Sequence, residues 1–299
     1  MSAPTTMDPI DAQQLRQRLL AAAPVTERRE RLAGVSTAIV EGGEGPPMVL
    51  LHGPGEYWGV WLNAVRELVH THHVIVPDLP GHGASLDFDG KLDSDQLVAW
   101  VDELIDATCD APPVLVGHLL GGAVAGRYAI EHADRLAHLV LVDSMGLNWY
   151  RPSPRFAIPM VRFMMKPNRE TRDRFFDECF VDFDRTGDQF GDVWDDLRDY
   201  ALAIAQTPEN QAALKAMMPR VGVPAISASD RDRITVPTNL IHGRHDLQVP
   251  LKSAQKASER HGWPLYVIDD VRDDPAAERP EAFVAALREA LAVDHARAS

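Results

Sequence analysis

The chain has 299 residues, 45% of them hydrophobic and 25% charged, enough to bury a large core in one main domain. Its 30 Lys and Arg against 44 Asp and Glu leave a net charge of -14, which argues against nucleic acid and against an anionic membrane surface as partners. The two cysteines, Cys109 and Cys179, lack metal-ligand spacing, which speaks against a disulfide framework and suits reduced thiols in a cytoplasmic setting. Residues 1–9 have no basic start followed by an apolar core, so no secretory signal is expected, and no uncharged apolar run is long enough to span a bilayer.

The first periodic segment, 11–23, reads as a modest amphipathic helix with Leu15, Leu19 and Leu20 near one face. Strands are expected at 28–32 and 35–40, separated by Gly34, followed by a Gly/Pro turn over 41–47. Strand and helix patterns then alternate. The strands are 48–51, ending at His52-Gly53; 74–77, leading into Asp78-Leu-Pro-Gly-His-Gly83; 114–116; and 139–142, ending at Asp143-Ser144. Helices at 61–69, 96–108 and 122–132 lie between them. This alternation predicts an α/β fold with a mostly parallel central sheet and helices on both faces. It stops over 149–223, a stretch rich in aromatics, Met and charge with helical periodicity, which reads as a helical cap inserted between strands. It resumes with strands at 238–241 and 265–268 and helices at 251–260 and 281–291. The expected organisation is an N-terminal helical extension (1–27), a body (28–148 and 224–299) and the cap (149–223). Function on such sheets lies at the carboxyl ends of the strands.

The most telling segment is Val114-Leu-Val-Gly-His-Leu-Leu-Gly-Gly122, an apolar strand turning sharply into a small-residue helix. That is the setting of the G-x-S-x-G nucleophile elbow, but the elbow position holds Leu119, and an isobutyl group cannot attack a carbonyl. The strand-end His52-Gly53, the Asp78–Gly83 turn, the Gly117-His-Leu-Leu-Gly121 elbow and His242-Gly-Arg-His-Asp246, in this order and spacing, resemble the α/β-hydrolase superfamily. The resemblance runs from about residue 28 to the last helix.

That resemblance implies four catalytic parts: nucleophile, general-base His, orienting acid and oxyanion hole. The acid position matches at Asp246. The nucleophile is replaced by Leu119, and Ser144, on a neighbouring strand end, has no elbow. The His expected just before Glu278-Arg-Pro-Glu-Ala-Phe283 is absent. Aligning on Pro275 puts Asp273 there, and a one-residue slip supplies Asp274 or Arg272 but no His; His261 and His295 are poorly placed to substitute. For the oxyanion hole, the Leu120 amide survives, whereas Pro54 has no N–H to give.

If Asp273 replaces the His, it lies close to Asp246. Two carboxyl groups a few ångströms apart in a partly dry pocket share a proton, with one pKa raised, and can serve as general acid and base without a covalent step. The competing expectation is that Arg244, Arg272 or a backbone cap neutralises each Asp. A metal site with His118 as third ligand has no ligand spacing in its favour, and no Gly-rich phosphate loop is present, so no cofactor or metal is expected. His52, Gly53, His118, Leu119, Leu120, Asp143 and Ser144 are the expected pocket lining. The cap aromatics, with Met164 and Met165, suggest a roomy apolar cavity for an apolar or aromatic carbonyl compound. The reading is thus a cofactor-free enzyme of non-serine mechanism. Its rivals are a ligand-binding protein without turnover and a hydrolase with carboxylate-activated water. A homodimer is left open.

Overall fold

The computed structural model describes residues 11–88 and 92–298, with side chains up to residue 292. Eight strands form one sheet in the order β1-β2-β4-β3-β5-β6-β7-β8: β1 (Thr26–Leu32), β2 (Val35–Gly42), β3 (Pro47–Leu51), β4 (His73–Pro77), β5 (Val114–His118), β6 (His138–Val142), β7 (Thr238–Gly243) and β8 (Leu265–Ile268). β1 pairs antiparallel with β2, and β2 antiparallel with β4; every later pairing is parallel.

The parallel strands are short apolar runs because both faces are covered, and successive side chains feed opposite layers. Val49, Leu51, Ile75, Leu115, Leu139, Leu141 and Leu240 enter one core. Met48, Leu50, Val74, Val76, Val116, Val140, Val142 and Ile241 enter the other. The helices before β6 are α1 (Ala12–Ala21), α2 (Leu62–Leu68), α3 (Ser94–Thr108) and α4 (Leu120–Glu131). Between β6 and β7 run α5 (Pro154–Met165), α6 (Arg169–Cys179), α7 (Phe183–Phe190), α8 (Trp194–Ala205), α9 (Pro208–Met217) and α10 (Ala228–Arg231). The chain closes with α11 (Leu251–His261), α12 (Pro275–Glu278) and α13 (Pro280–Ala298). α3, α4 and α11 supply the first core, and α1, α2, α12 and α13 the second.

The segment between β6 and β7 is stitched by aromatic rings. Phe175 packs on Phe156 and Phe163 at 5.3 and 5.7 Å between centroids, and Trp194 packs on Phe180 and Phe190 at 5.9 and 5.4 Å. The N-terminal helix joins it to the sheet through a charge the pattern of leucines does not announce. Arg16 is buried, ion-paired to Asp78 at 2.8 Å and Glu27 at 2.5 Å, and donates to the Tyr200 hydroxyl at 3.0 Å. Asp78, at the carboxyl end of β4, also accepts from the Trp58 and Ala84 amides, so one buried carboxylate ties its own loop to the β3–α2 loop and to α1. Pro280 starts the last helix one residue before the predicted start, and α12 precedes it as a separate turn.

Candidate active site

At the carboxyl end of β5 the chain turns at Leu119 with φ +45° and ψ -108°. A leucine held in this sparsely populated region carries strain of about 1–3 kcal/mol, so the surroundings must enforce it. They do: the Leu119 amide donates to the Val142 carbonyl at 3.0 Å, and its carbonyl accepts from the Met145 amide at 3.1 Å. Two residues on, a Cβ on Gly121 would run into the carbonyl oxygens of Leu51 and His52, and the Gly121 amide donates to His52 at 3.0 Å. The elbow geometry is therefore intact, with a fully buried isobutyl group where the nucleophile would stand.

Most polar groups around the elbow are already committed. His52 donates from Nδ1 to the Gly53 carbonyl at 2.8 Å and accepts the Leu79 amide on Nε2 at 3.0 Å, and burial lowers its pKa. The Ser144 hydroxyl donates to the Met145 carbonyl at 2.7 Å and packs against Gly122. Both residues brace turns that would otherwise leave buried backbone groups unpaired. The Gly53 amide is taken by the Glu56 carboxylate at 2.5 Å. Leu120 begins α4, where helix geometry leaves amides without intrahelical partners.

The acid side of the site is different. Asp246 follows β7, and its Oδ1 accepts from the Gln248 and Val249 amides at 2.6 and 3.0 Å. Asp273 precedes α12; it accepts from the Leu247 amide and from Gln248 Nε2, both at 3.2 Å. Gln248 bridges the two carboxyl groups, its amide donating to Asp246 Oδ1 and its Nε2 to Asp273 Oδ2. Burial pushes both carboxyl pKa values well above the usual carboxylate range. A neighbouring carboxyl charge pushes each further in the same direction, Asp143 acting on Asp246 and Asp246 on Asp273. The arginines expected as neutralisers are elsewhere: Arg244 pairs with Asp269, and Arg272 donates to the carbonyls of Asp177, Glu178 and Phe180. Asp274, the slipped alternative, instead caps α12 by accepting from Ala277 at 3.2 Å.

Asp143, at the end of β6 with φ +43°, accepts from the Gly243 amide at 2.9 Å and lies 3.2 Å from His242 Nδ1. His242 Nε2 donates to the Val249 carbonyl at 2.9 Å and sits 3.6 Å from Asp246 Oδ2. Oδ2 of Asp143 and Oδ2 of Asp246 are both buried without a hydrogen-bond partner. Burial lowers the His242 pKa to about 4 and raises that of Asp143 well above its ordinary value. Asp143, His242 and Asp246 offer ligand atoms within 4.8 Å of one another, so among the described residues these three, and not a set with His118, have metal-like geometry.

Sequence reasoning missed Glu56. His118 places Nδ1 3.2 Å from Glu56 Oε2 and donates from Nε2 to the Asp273 carbonyl at 2.7 Å. Burial alone would lower the His118 pKa, but the Glu56 charge and hydrogen bond overcome it and bring it up to about 10. An imidazolium therefore stands beside the elbow. The available signal was an acid three residues past Gly53 in a Gly-Pro-Gly turn, a position from which a carboxylate reaches back to a free amide. Glu278 was missed too: it accepts from Val181 and Arg272, both at 2.7 Å, and joins the α6–α7 loop to the Asp273 loop.

The roomy apolar cavity expected beneath the cap aromatics is not what the structure shows at this site. Leu119 is 0% exposed and Asp273 2%, while Met164 and Met165, expected to shape the cavity, are 47% and 81% exposed. A concavity of about 680 Å³ lies instead among Asp184, Asp188, Asp192, Trp194 and Asp195, and no candidate site residue lines it. Tyr150 reaches the dyad indirectly, donating at 3.0 Å to Gln248, which donates to Asp273.

A model of the alpha/beta hydrolase family matches residues 48–286. A pimeloyl-[acyl-carrier protein] methyl ester esterase of Aeromonas hydrophila is 28% identical over 261 residues, 84% of this chain and 97% of the esterase. A 2-hydroxy-6-oxo-2,4-heptadienoate hydrolase of Pseudomonas putida is 27% identical over 236 residues, 76% of this chain and 81% of that enzyme. Among solved structures, a membrane phospholipase A described as a bacterial virulence factor superposes with a TM-score of 0.79 at 23% identity, covering 96% of this chain and 92% of its own.

Proposed function

Since the chain belongs to the alpha/beta hydrolase family, we propose that it is an enzyme that has moved its chemistry from the elbow to the acid loop. It acts on an apolar carbonyl compound by cofactor-free acid–base catalysis. The single observation that carries this reading is the Asp246–Asp273 pair: buried, bridged by Gln248 and without a cationic side chain paired to it among the described residues apart from the 3.6 Å approach of His242, which burial keeps neutral.

Asp273 holds a proton that it can deliver to a carbonyl oxygen. Asp246, left as the base, can take a proton from the neighbouring carbon, and transfer between the two resets the pair. The His118 imidazolium, anchored by Glu56, adds positive charge beside the Leu120 amide, where negative charge would develop on the substrate oxygen. The names of these two relatives specify a methyl ester and an oxo-dienoate, both carbonyl compounds, which supports a carbonyl substrate. The segment between β6 and β7 serves as the cap in this reading. It must open to admit substrate, because the dyad is covered by Tyr150 and by the end of α6, whose Cys179 carbonyl accepts from the Asp273 amide at 3.3 Å.

Proton exchange tests this directly. With a panel of apolar ketones and esters in D2O, NMR should show enzyme-dependent deuterium uptake at the carbon beside the carbonyl, lost in Asp246→Asn and in Asp273→Asn. Uptake that persists in both variants contradicts the assignment.

A further inference from the structure

The net charge of -14 conceals a local reversal. Between Trp149 and Arg169 the chain carries five cations, Arg151, Arg155, Arg162, Lys166 and Arg169, and no acid. α5 runs through this stretch, buries Phe156 and Phe163 against the body of the helical segment, and turns its other side outward. Exposed there are Ile158 at 53%, Val161 at 46%, Met164 at 47% and Met165 at 81%, with Trp149 at 57% just before the helix. Ile158, Val161 and Met165 follow i, i+3, i+7 spacing, so they form one ridge along the axis. Arg151, Arg162 and Lys166 make no ion pair among the described residues; Arg155 is held by Glu178.

From this we infer that α5 is a peripheral docking surface for an anionic lipid bilayer. Large apolar side chains left in water as a contiguous ridge need a cover, and a ridge bordered by unpaired cations fits a surface that is apolar inside and negative outside. A second copy of this chain is a poorer occupant, since ridge-on-ridge pairing would set Arg162 and Lys166 against their own equivalents. The helix lies in the interface plane and does not cross it: no helix among the described residues is long and apolar enough to span a membrane. The acidic remainder of the surface does not prevent docking, because at physiological ionic strength charges more than about 8 Å from the lipid are screened. It orients the protein instead, turning every other face away.

The ridge is also close to the dyad in connectivity. The Ser153 amide, which opens α5, donates to the Leu247 carbonyl at 2.8 Å, one residue beyond Asp246. The inference itself stands apart from any turnover at the dyad.

Co-sedimentation with vesicles tests it. The full chain should pellet with phosphatidylcholine–phosphatidylglycerol vesicles and stay in solution with phosphatidylcholine alone, with binding falling as salt is raised. Binding should drop roughly tenfold or more in Arg162→Glu/Lys166→Glu and in Ile158→Ser/Met165→Ser, whose exposed positions leave the fold intact. Trp149→Phe should remove a blue shift in tryptophan emission on binding. Absence of binding to anionic vesicles, or binding unchanged in both double variants, overturns the proposal. So does a lipid-free dimer that Ile158→Ser/Met165→Ser converts to monomer, which would assign the ridge to a second copy.

Discussion

The two halves of the site are built to opposite standards. At the elbow, His52, Gly53 and Ser144 have their hydrogen-bonding groups matched by nearby backbone or by Glu56, and Leu119 fills the nucleophile position with hydrocarbon. On the acid side, three buried carboxyl groups, Asp143, Asp246 and Asp273, crowd together, and two of their oxygens have no partner. Buried polar atoms without partners cost about 1–3 kcal/mol each, so a region that retains them carries a cost that the elbow avoids. In the function proposed above, the elbow serves as structure and the acid side carries the chemistry.

The largest expected effect breaks the comparison at its acid end. Asp246→Asn or Asp273→Asn should lower turnover by about 10²–10⁴-fold, the usual contribution of a positioned acid or base. Since both groups have raised pKa values, these variants should keep their fold at pH 7 and lose less stability on alkalinisation than the parent; thermal melts from neutral to alkaline pH check this.

At the elbow, Leu119→Ser should destabilise by roughly 2–4 kcal/mol, because it removes buried hydrocarbon and leaves a hydroxyl without a base. It should gain no labelling by a fluorophosphonate probe; covalent labelling would mean that a base is present after all.

The pH dependence of stability follows from the same contrast. Groups whose folded pKa is raised contribute stability that is lost as pH rises through that value; among them are Asp143, Asp246 and Asp273, Asp274 and Glu278 at about 7, and His118 at about 10. His82 and His242, lowered to about 4, contribute stability that is present above pH 6.5 and lost as pH falls toward 4. Above pH 7 the histidine contributions are complete and the raised groups still titrate, so the melting temperature should fall as pH rises from about 7 to 10, and calorimetry over that range would show it. A melting temperature that climbs steadily into the alkaline range contradicts these directions. The smallest effect is at Ser144→Ala, about 1 kcal/mol or less and with turnover unchanged, as a single local hydrogen bond implies.

The sheet, its two layers and the helical insertion were legible because period-2 and period-3.6 patterns are local and the parallel strands are uniformly apolar. That Asp273 and Asp246 share Gln248 follows an expectation drawn from the position of Asp273 relative to Pro275 and from the resemblance, which implies a partner for the acid there. What did not show in the sequence depends on long-range contacts. Glu56 and His118 are 62 positions apart and meet only after β3 and β5 pair. Arg16 reaches Asp78 and Tyr200 only once α1 lies across the sheet end. The exposure of Met164 and Met165 was misjudged because composition cannot tell which side of an amphipathic helix faces the protein when both sides are apolar.

The central claim is that chemistry resides in the carboxyl pair and not at the elbow. The most direct measurement is mass spectrometry of a host metabolite extract incubated with the protein, with Leu119→Ala, and with Asp246→Asn/Asp273→Asn. The account predicts a compound consumed and replaced by product with the parent and with Leu119→Ala, and left intact by the double variant. A compound retained unchanged by all three, or converted equally by the double variant, would contradict it.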